Sequence, residues 1–272
     1  MIKKQLIMEK ALELFAKQGF EATSVKQITD HCGISKGAFY LSFKSKDELI
    51  LALIDHFMQH FTADIDYVVK NVSDKELVYR FYTSMFDSFH KHSDFAKLLI
   101  KEQTYSFSKE LLLKIRYYDS LVDKTILLMI ERVFGDSVDK TKFDLLYCIK
   151  GFLNVYSGLF LFHSVPLDVD LLARSLEEKT RILASETTIP FITQPFIKPV
   201  GNEIPEEQLH QFLDQVIDEM DDSLEKDSLL LLKQELLEPS LQPAIINGLL
   251  ENIRNHPQCK WIAYLLRKNL QH

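Results

Sequence analysis

Glycine and proline are scarce, at eight each in 272 residues, which is too few for the many tight turns of an all-β chain. An all-α fold of long helices joined by short loops is expected. Cysteine is scarcer still: Cys32, Cys148 and Cys259 are odd in number and far apart, which excludes a disulfide framework and a metal-ligand spacing. Reduced thiols are the expectation. There is no long unbroken apolar run either. The stretch 151–165 is interrupted by Asn154, Ser157, Gly158 and His163 and is too short for a bilayer. The start, Met1-Ile2-Lys3-Lys4, lacks the apolar region and cleavage site of a secretory signal. A cytoplasmic protein that does not engage a membrane is expected. Catalytic signatures are missing as well: no Ser-His-Asp grouping and no glycine-rich phosphate loop stands out. His56 and His60 are i, i+4 neighbours, but Phe57 stands where a zinc protease would carry Glu. Neither an enzyme, a cofactor nor a bound metal is expected.

What the chain does have is charge, unevenly placed. The total is −7, yet residues 1–50 hold eight Lys against six acids, while 200–272 hold six basic residues against thirteen acidic ones. Binding to a polyanion depends on the local field, so the N-terminal end remains open to nucleic acid and the far end does not.

Apolar residues at Ile7, Ala11, Leu14 and Phe15 form the stripe of a first helix that Gly19 stops. Ser24 and Ser35 offer N-caps for two short helices separated at Gly33, and Ser45 caps a long one running toward Val69 with Asp47 and Glu48 in its first turn. Further helices are expected over 74–91, 94–102, 108–134, 140–163 and 168–184. The proline-rich segment 187–204 reads as a linker. Beyond it Leu209, Phe212, Leu213, Val216, Ile217 and Met220 keep helical spacing, and Pro243 and Pro257 are placed to open two more helices.

The runs Thr23-Ser24-Val25-Lys26-Gln27-Ile28, Gly33-Ile34-Ser35-Lys36-Gly37-Ala38-Phe39-Tyr40 and Phe43-Lys44-Ser45-Lys46-Asp47-Glu48-Leu49 together resemble the DNA-binding signature of the TetR family. That resemblance implies a helix-turn-helix whose second helix presents its N-terminal amides to phosphate and whose third enters the major groove. Carried over residue by residue, it places Thr23, Ser24 and Lys26 beside the phosphate backbone and Lys36, Gly37 and Ala38 nearest the base edges. Ser35 and Tyr40 come within reach of DNA, Tyr40 and Lys46 grip phosphate, and Lys44 adds positive charge. The chain departs from the family pattern at Leu41-Ser42, Thr29 and Cys32; the first departure removes a phosphate contact.

The resemblance further implies a helical effector-binding and dimerisation domain over 48–186 after a DNA-binding domain over 1–47. It implies a homodimer on a palindromic operator in double-stranded DNA, and a small amphipathic or aromatic effector that releases a repressor. Twenty of the thirty aromatic residues fall between 51 and 165, a supply that serves an aromatic-walled pocket or an ordinary helical core. Phe86, Phe89, Glu102, Gln103, Tyr105 and Asn154 are the candidate pocket residues, because polar groups among apolar neighbours must find partners. Leu145, Ile149, Phe152, Tyr156 and Leu159, with Gly151 and Gly158, form either a dimer face or inner core. The family resemblance does not cover 205–272, an acidic helical extension with Trp261, Tyr264 and Leu265 as its apolar anchor. The alternative function is a DNA-bound adaptor whose acidic C-terminal helices contact a protein partner, with no small-molecule effector.

Overall fold

The computed structural model describes residues 2–102, 109–162, 168–193 and 206–270. Within them the regular elements are helical. The first four helices are α1 (Ile2–Gln18), α2 (Val25–Cys32), α3 (Lys36–Ser42) and α4 (Lys46–Asn71). The middle of the chain forms α5 (Asp74–Lys91), α6 (Ser93–Glu102), α7 (Lys109–Phe134), α8 (Lys142–Phe162) and α9 (Val169–Glu186). Four more follow: α10 (Glu206–Glu219), α11 (Leu224–Leu237), α12 (Pro243–Arg254) and α13 (Lys260–Leu270).

Local chemistry accounts for most boundaries. Asp168 caps α9 by accepting from the Leu171 amide at 3.0 Å, and Ser223 caps α11 through the Lys226 amide at 3.2 Å. Pro243 stands in the first turn of α12, where its missing N–H costs nothing. Pro257 does not open a helix: it lies in the turn before α13, which starts at Lys260. No comparable sequence signal marks α11, whose leucine run has little one-sided periodicity.

Two apolar clusters organise the molecule. One gathers Ile65, Phe81, Tyr82, Phe86, Ile126, Ile149 and Leu176 from α4, α5, α7, α8 and α9. The Tyr82 hydroxyl meets that of Thr180 at 2.8 Å inside it, tying α5 to α9. Arg132 of α7 donates to the Val72 carbonyl at 3.2 Å and also reaches the Val69 carbonyl and Asp74, closing the end of α4.

The other cluster joins the N-terminal helices to the C-terminal ones: Phe15, Ile28, Phe39 and Leu53 belong to the same apolar body as Leu213, Leu229, Trp261 and Leu266. The acidic extension is thus packed on the chain through α13, which lies along α4. Lys260 donates to both carboxylate oxygens of Asp64 at 2.8 and 2.9 Å, and Arg254 stacks on the Tyr67 ring.

On α8, Leu145 and Ile149 are buried in the chain's own core, so the inner-core reading holds for them. The outward face of α8 is instead Cys148, Gly151, Val155 and Leu159, with Val155 67% exposed.

Candidate nucleic-acid interface and cavity

The turn between α2 and α3 is built from side-chain caps and one left-handed glycine. Ser24 accepts from the Gln27 amide at 3.2 Å while Gln27 Oε1 accepts from the Ser24 amide at 2.8 Å, a reciprocal capping box. Gly33 ends α2 at φ 66° and ψ 32°, a conformation that penalises any residue with a Cβ. The Ile34 amide then returns to the Thr29 carbonyl at 3.0 Å, and Ser35 caps α3 through the Ala38 amide at 3.2 Å. Phe39 and Phe43 are buried, which fixes α3 by one side and leaves the other to solvent.

That solvent side carries Ser35, Lys36, Gly37 and Tyr40, all exposed, with Ala38 half-buried between them. Ser24 and Lys26 are exposed at the start of α2, and Lys44 is exposed just before α4. Two of the expected contact residues sit differently. Thr23 is fully buried: its hydroxyl donates to the Gly19 carbonyl at 2.7 Å and accepts from Gln18 Nε2 at 3.1 Å. The Lys46 ammonium donates to the carbonyls of Phe20 at 2.7 Å and Thr23 at 3.1 Å and lies 4.1 Å from the Phe20 ring centroid. It clasps the α1–α2 turn. Leu41, noted from sequence only as a departure, is 91% exposed at the end of α3.

A second feature lies between α4, α5, α6, α7 and α8: a cavity of about 310 Å³. Ile54, Phe57, Met58, Met85, Phe89 and Phe95 supply apolar walls, and His92, Asp119, Lys150, Asn154 and Ser157 supply polar ones. Of the candidate pocket residues, Phe89 and Asn154 line it. Phe86 is buried in the core, its ring stacked 6.4 Å from that of Tyr82. Glu102 closes α6, with its side chain outside the described residues, and Gln103 and Tyr105 also lie outside them. The α4 wall had a legible signal in Ile54, Phe57, Met58 and Phe61, which recur at helical spacing; the first three also pack in the cluster that holds the N-terminal core.

Burial shifts several titratable groups on and beside α4. Burial lowers the pKa of His92, helped by neighbouring Lys91 and His56. His60, one turn along α4 from His56 with ring centroids 4.8 Å apart, is pushed down to about 4 by burial and by His56 and Lys260. Tyr118 donates to Asp55 at 2.8 Å, and burial together with that carboxylate pushes its hydroxyl pKa up. Among the described residues no group of His, Cys, Asp or Glu is arranged to hold a metal ion, and no helix is long and apolar enough to cross a membrane.

Known proteins share the N-terminal motif and the fold. Residues 7–53 match the family described as bacterial regulatory proteins, tetR family. The chain is 27% identical over 266 residues to the Bacillus subtilis HTH-type transcriptional regulator YerO, covering 92% of this chain and 89% of that one. It is 25% identical over 294 residues to YuxN, another HTH-type transcriptional regulator of Bacillus subtilis, covering 98% of each. Among solved structures, the regulator FadR of Bacillus subtilis in complex with stearoyl-CoA shares the fold with a TM-score of 0.52 at 18% identity. That match covers 68% of this chain and 99% of FadR.

Proposed function

We propose that the chain is a TetR-type DNA-binding transcriptional regulator, a dimeric repressor released from a palindromic operator by an amphipathic effector; the tetR-family match of residues 7–53 supports the DNA-binding part. The observation that carries this reading is the cavity, because α6 forms one of its walls through Phe95 and Ala96 while packing against α1 of the DNA-binding end. A ligand that prefers one placement of α6 biases the separation of the two recognition helices, and DNA in turn biases the ligand by the same factor. The FadR complex with stearoyl-CoA gives a precedent for an amphipathic ligand in this fold.

The homodimer is assigned to α8 and α9. Val155 and Leu159 on α8 and Leu171 and Ile182 on α9 are exposed apolar side chains. A Cβ added at Gly151 or Gly158 would meet nothing within 4 Å, so the chain's own packing does not require glycine at either position. Both leave room for the close approach of a partner helix.

At the DNA, Ser24, Lys26, Ser35, Lys36, Gly37, Ala38, Tyr40 and Lys44 form the contact surface, and Thr23 and Lys46 act by holding the α1–α2 turn behind it. Lys44→Ala is expected to shallow the log–log salt slope of operator binding by about one unit with an unchanged melting temperature. Lys46→Ala removes charge-assisted bonds to two carbonyls and is expected to cost roughly 1–3 kcal/mol of stability. Identical behaviour of the two variants in both measurements would remove the distinction.

The test of the whole reading is to select duplexes from a random pool and to titrate the bound sequence by fluorescence anisotropy with and without amphipathic compounds. An inverted repeat bound by two chains, with affinity falling at least tenfold in the presence of one compound, is the expected result. Selected duplexes without two-fold symmetry would defeat the dimer, and indifference to every compound would defeat effector release.

The adaptor reading keeps one specific observation: Leu224, Leu231 and Leu237 of α11 are exposed among acidic side chains. It predicts that a variant with these three leucines changed to glutamine still binds its operator but no longer regulates.

A further inference from the structure

The polar end of the cavity carries an unbalanced charge. Lys150 on α8 donates to Asp119 at 2.9 Å and to Asp123 at 2.5 Å, both on α7. Two carboxylates and one ammonium leave one negative charge in excess, with the Asp123 and Lys150 side chains 13% and 23% exposed and that of Asp119, at the cavity, 41% exposed. Asp119 and Lys150 face the cavity beside Asn154 and Ser157. Across it, His92 is held toward its neutral form by burial and adds no compensating charge. The ammonium has committed donors to both carboxylates, whereas Asp119 keeps acceptor capacity on the cavity side.

Resting on the effector reading above, we propose that the cavity selects a lipophilic cation, an amine or quaternary ammonium whose charge sits against Asp119 and whose chain fills the apolar part. A cationic head brings the cluster to neutrality in a partly desolvated site. A carboxylate or phosphate head raises its excess negative charge and must compete with two aspartates for one ammonium. The walls accept the chain, since Phe57, Phe89 and Phe95 line the apolar part of the cavity. Selectivity thus comes from what the site repels as well as from what it attracts.

The experiment compares decyltrimethylammonium with decanoate, of equal chain length and below their micelle concentrations, by isothermal titration of the full chain. We expect the cation to bind at least tenfold tighter, Asp119→Asn to abolish that preference, and Lys150→Gln to raise cation affinity at least threefold, with thermal melting confirming that each variant is folded. Decanoate binding as tightly as the cation overturns the proposal and leaves the effector cavity standing, as does a preference that survives Asp119→Asn. Binding of neither probe to the wild-type chain overturns the proposal and the effector cavity together.

Discussion

Trp261→Ala is expected to destabilise the chain by about 3–5 kcal/mol, the range for deleting a large buried aromatic side chain. Trp261 is 7% exposed, its ring stacked 4.8 Å from Tyr264 and edge-on at 6.3 Å to Tyr118 of α7. It belongs to the apolar body that continues through Leu53 to Phe39 of the recognition helix, so the cavity left behind opens under α4. Trp261→Phe makes the sharper comparison. The indole Nε1 is buried with no acceptor among the described residues, and an orphaned donor of this kind costs roughly 1–3 kcal/mol. Phenylalanine removes that donor along with some volume, so its net cost is expected near about 1 kcal/mol or less. Urea unfolding of the three proteins measures both. An alanine variant within about 1 kcal/mol of wild type would mean that α13 does not support α4. Operator affinity separates the two readings of the extension further: a recruiting tail can lose Trp261 without harm to DNA binding, whereas a brace on α4 cannot.

The helix-turn-helix was legible because its determinants are local. Ser24, Ser35 and Ser45 each cap the helix they precede, and Gly33 takes the left-handed conformation that its place in the motif requires. Each signal needs only its own few neighbours. Side-chain roles were less legible because they depend on what folds back from elsewhere. Lys46 looks from its position like a phosphate ligand, and only the carbonyls of Phe20 and Thr23, more than twenty residues earlier, show that two of its donors are in use. Phe86 and Phe89 stand one helical turn apart on α5, yet one is core and the other faces a cavity. No pattern within α5 separates them, since the difference is made by the helices that pack around it.

The extension shows the same limit at larger scale. Its acidic composition predicts a solvated module, and the acidic residues are indeed mostly on its outside, Asp214, Asp218 and Asp222 among them. Packing is decided by the minority that face inward. Lys260 finds Asp64, and Arg267 lies against Glu251 at 3.1 Å and over the Tyr67 ring. Net charge describes the surface that remains after docking and carries no information about the surface used for it.

That docking also underlies an expected acid sensitivity. His60 lies on the α4 face that meets α13, and its folded pKa of about 4 is well below the ordinary 6.5. Burial is the first cause; His56, Lys260 and His92 add positive charge, and Asp64 alone opposes them. Above pH 6.5 the ring is neutral in both the folded and unfolded chain and contributes nothing to pH dependence. As pH falls from 6.5 toward 4, the unfolded chain takes up a proton that the folded chain refuses, so stability declines over that window and levels off below it. Full desolvation would make the loss about 3 kcal/mol, and the part of the ring that still meets solvent reduces it to about 2 kcal/mol. His92, lowered by the same cause, adds to the decline. Asp66 and Asp123, pushed up by burial, bind protons more readily when folded and offset some of it at the acidic end. Urea unfolding at pH 7 and pH 4.5 of wild type and His60→Gln is the measurement. The glutamine variant is expected to lose about 1–2 kcal/mol less than wild type on acidification, because it has no proton to refuse. Parallel losses in the two proteins would place the acid-sensitive group elsewhere than on the face of α4 covered by α13.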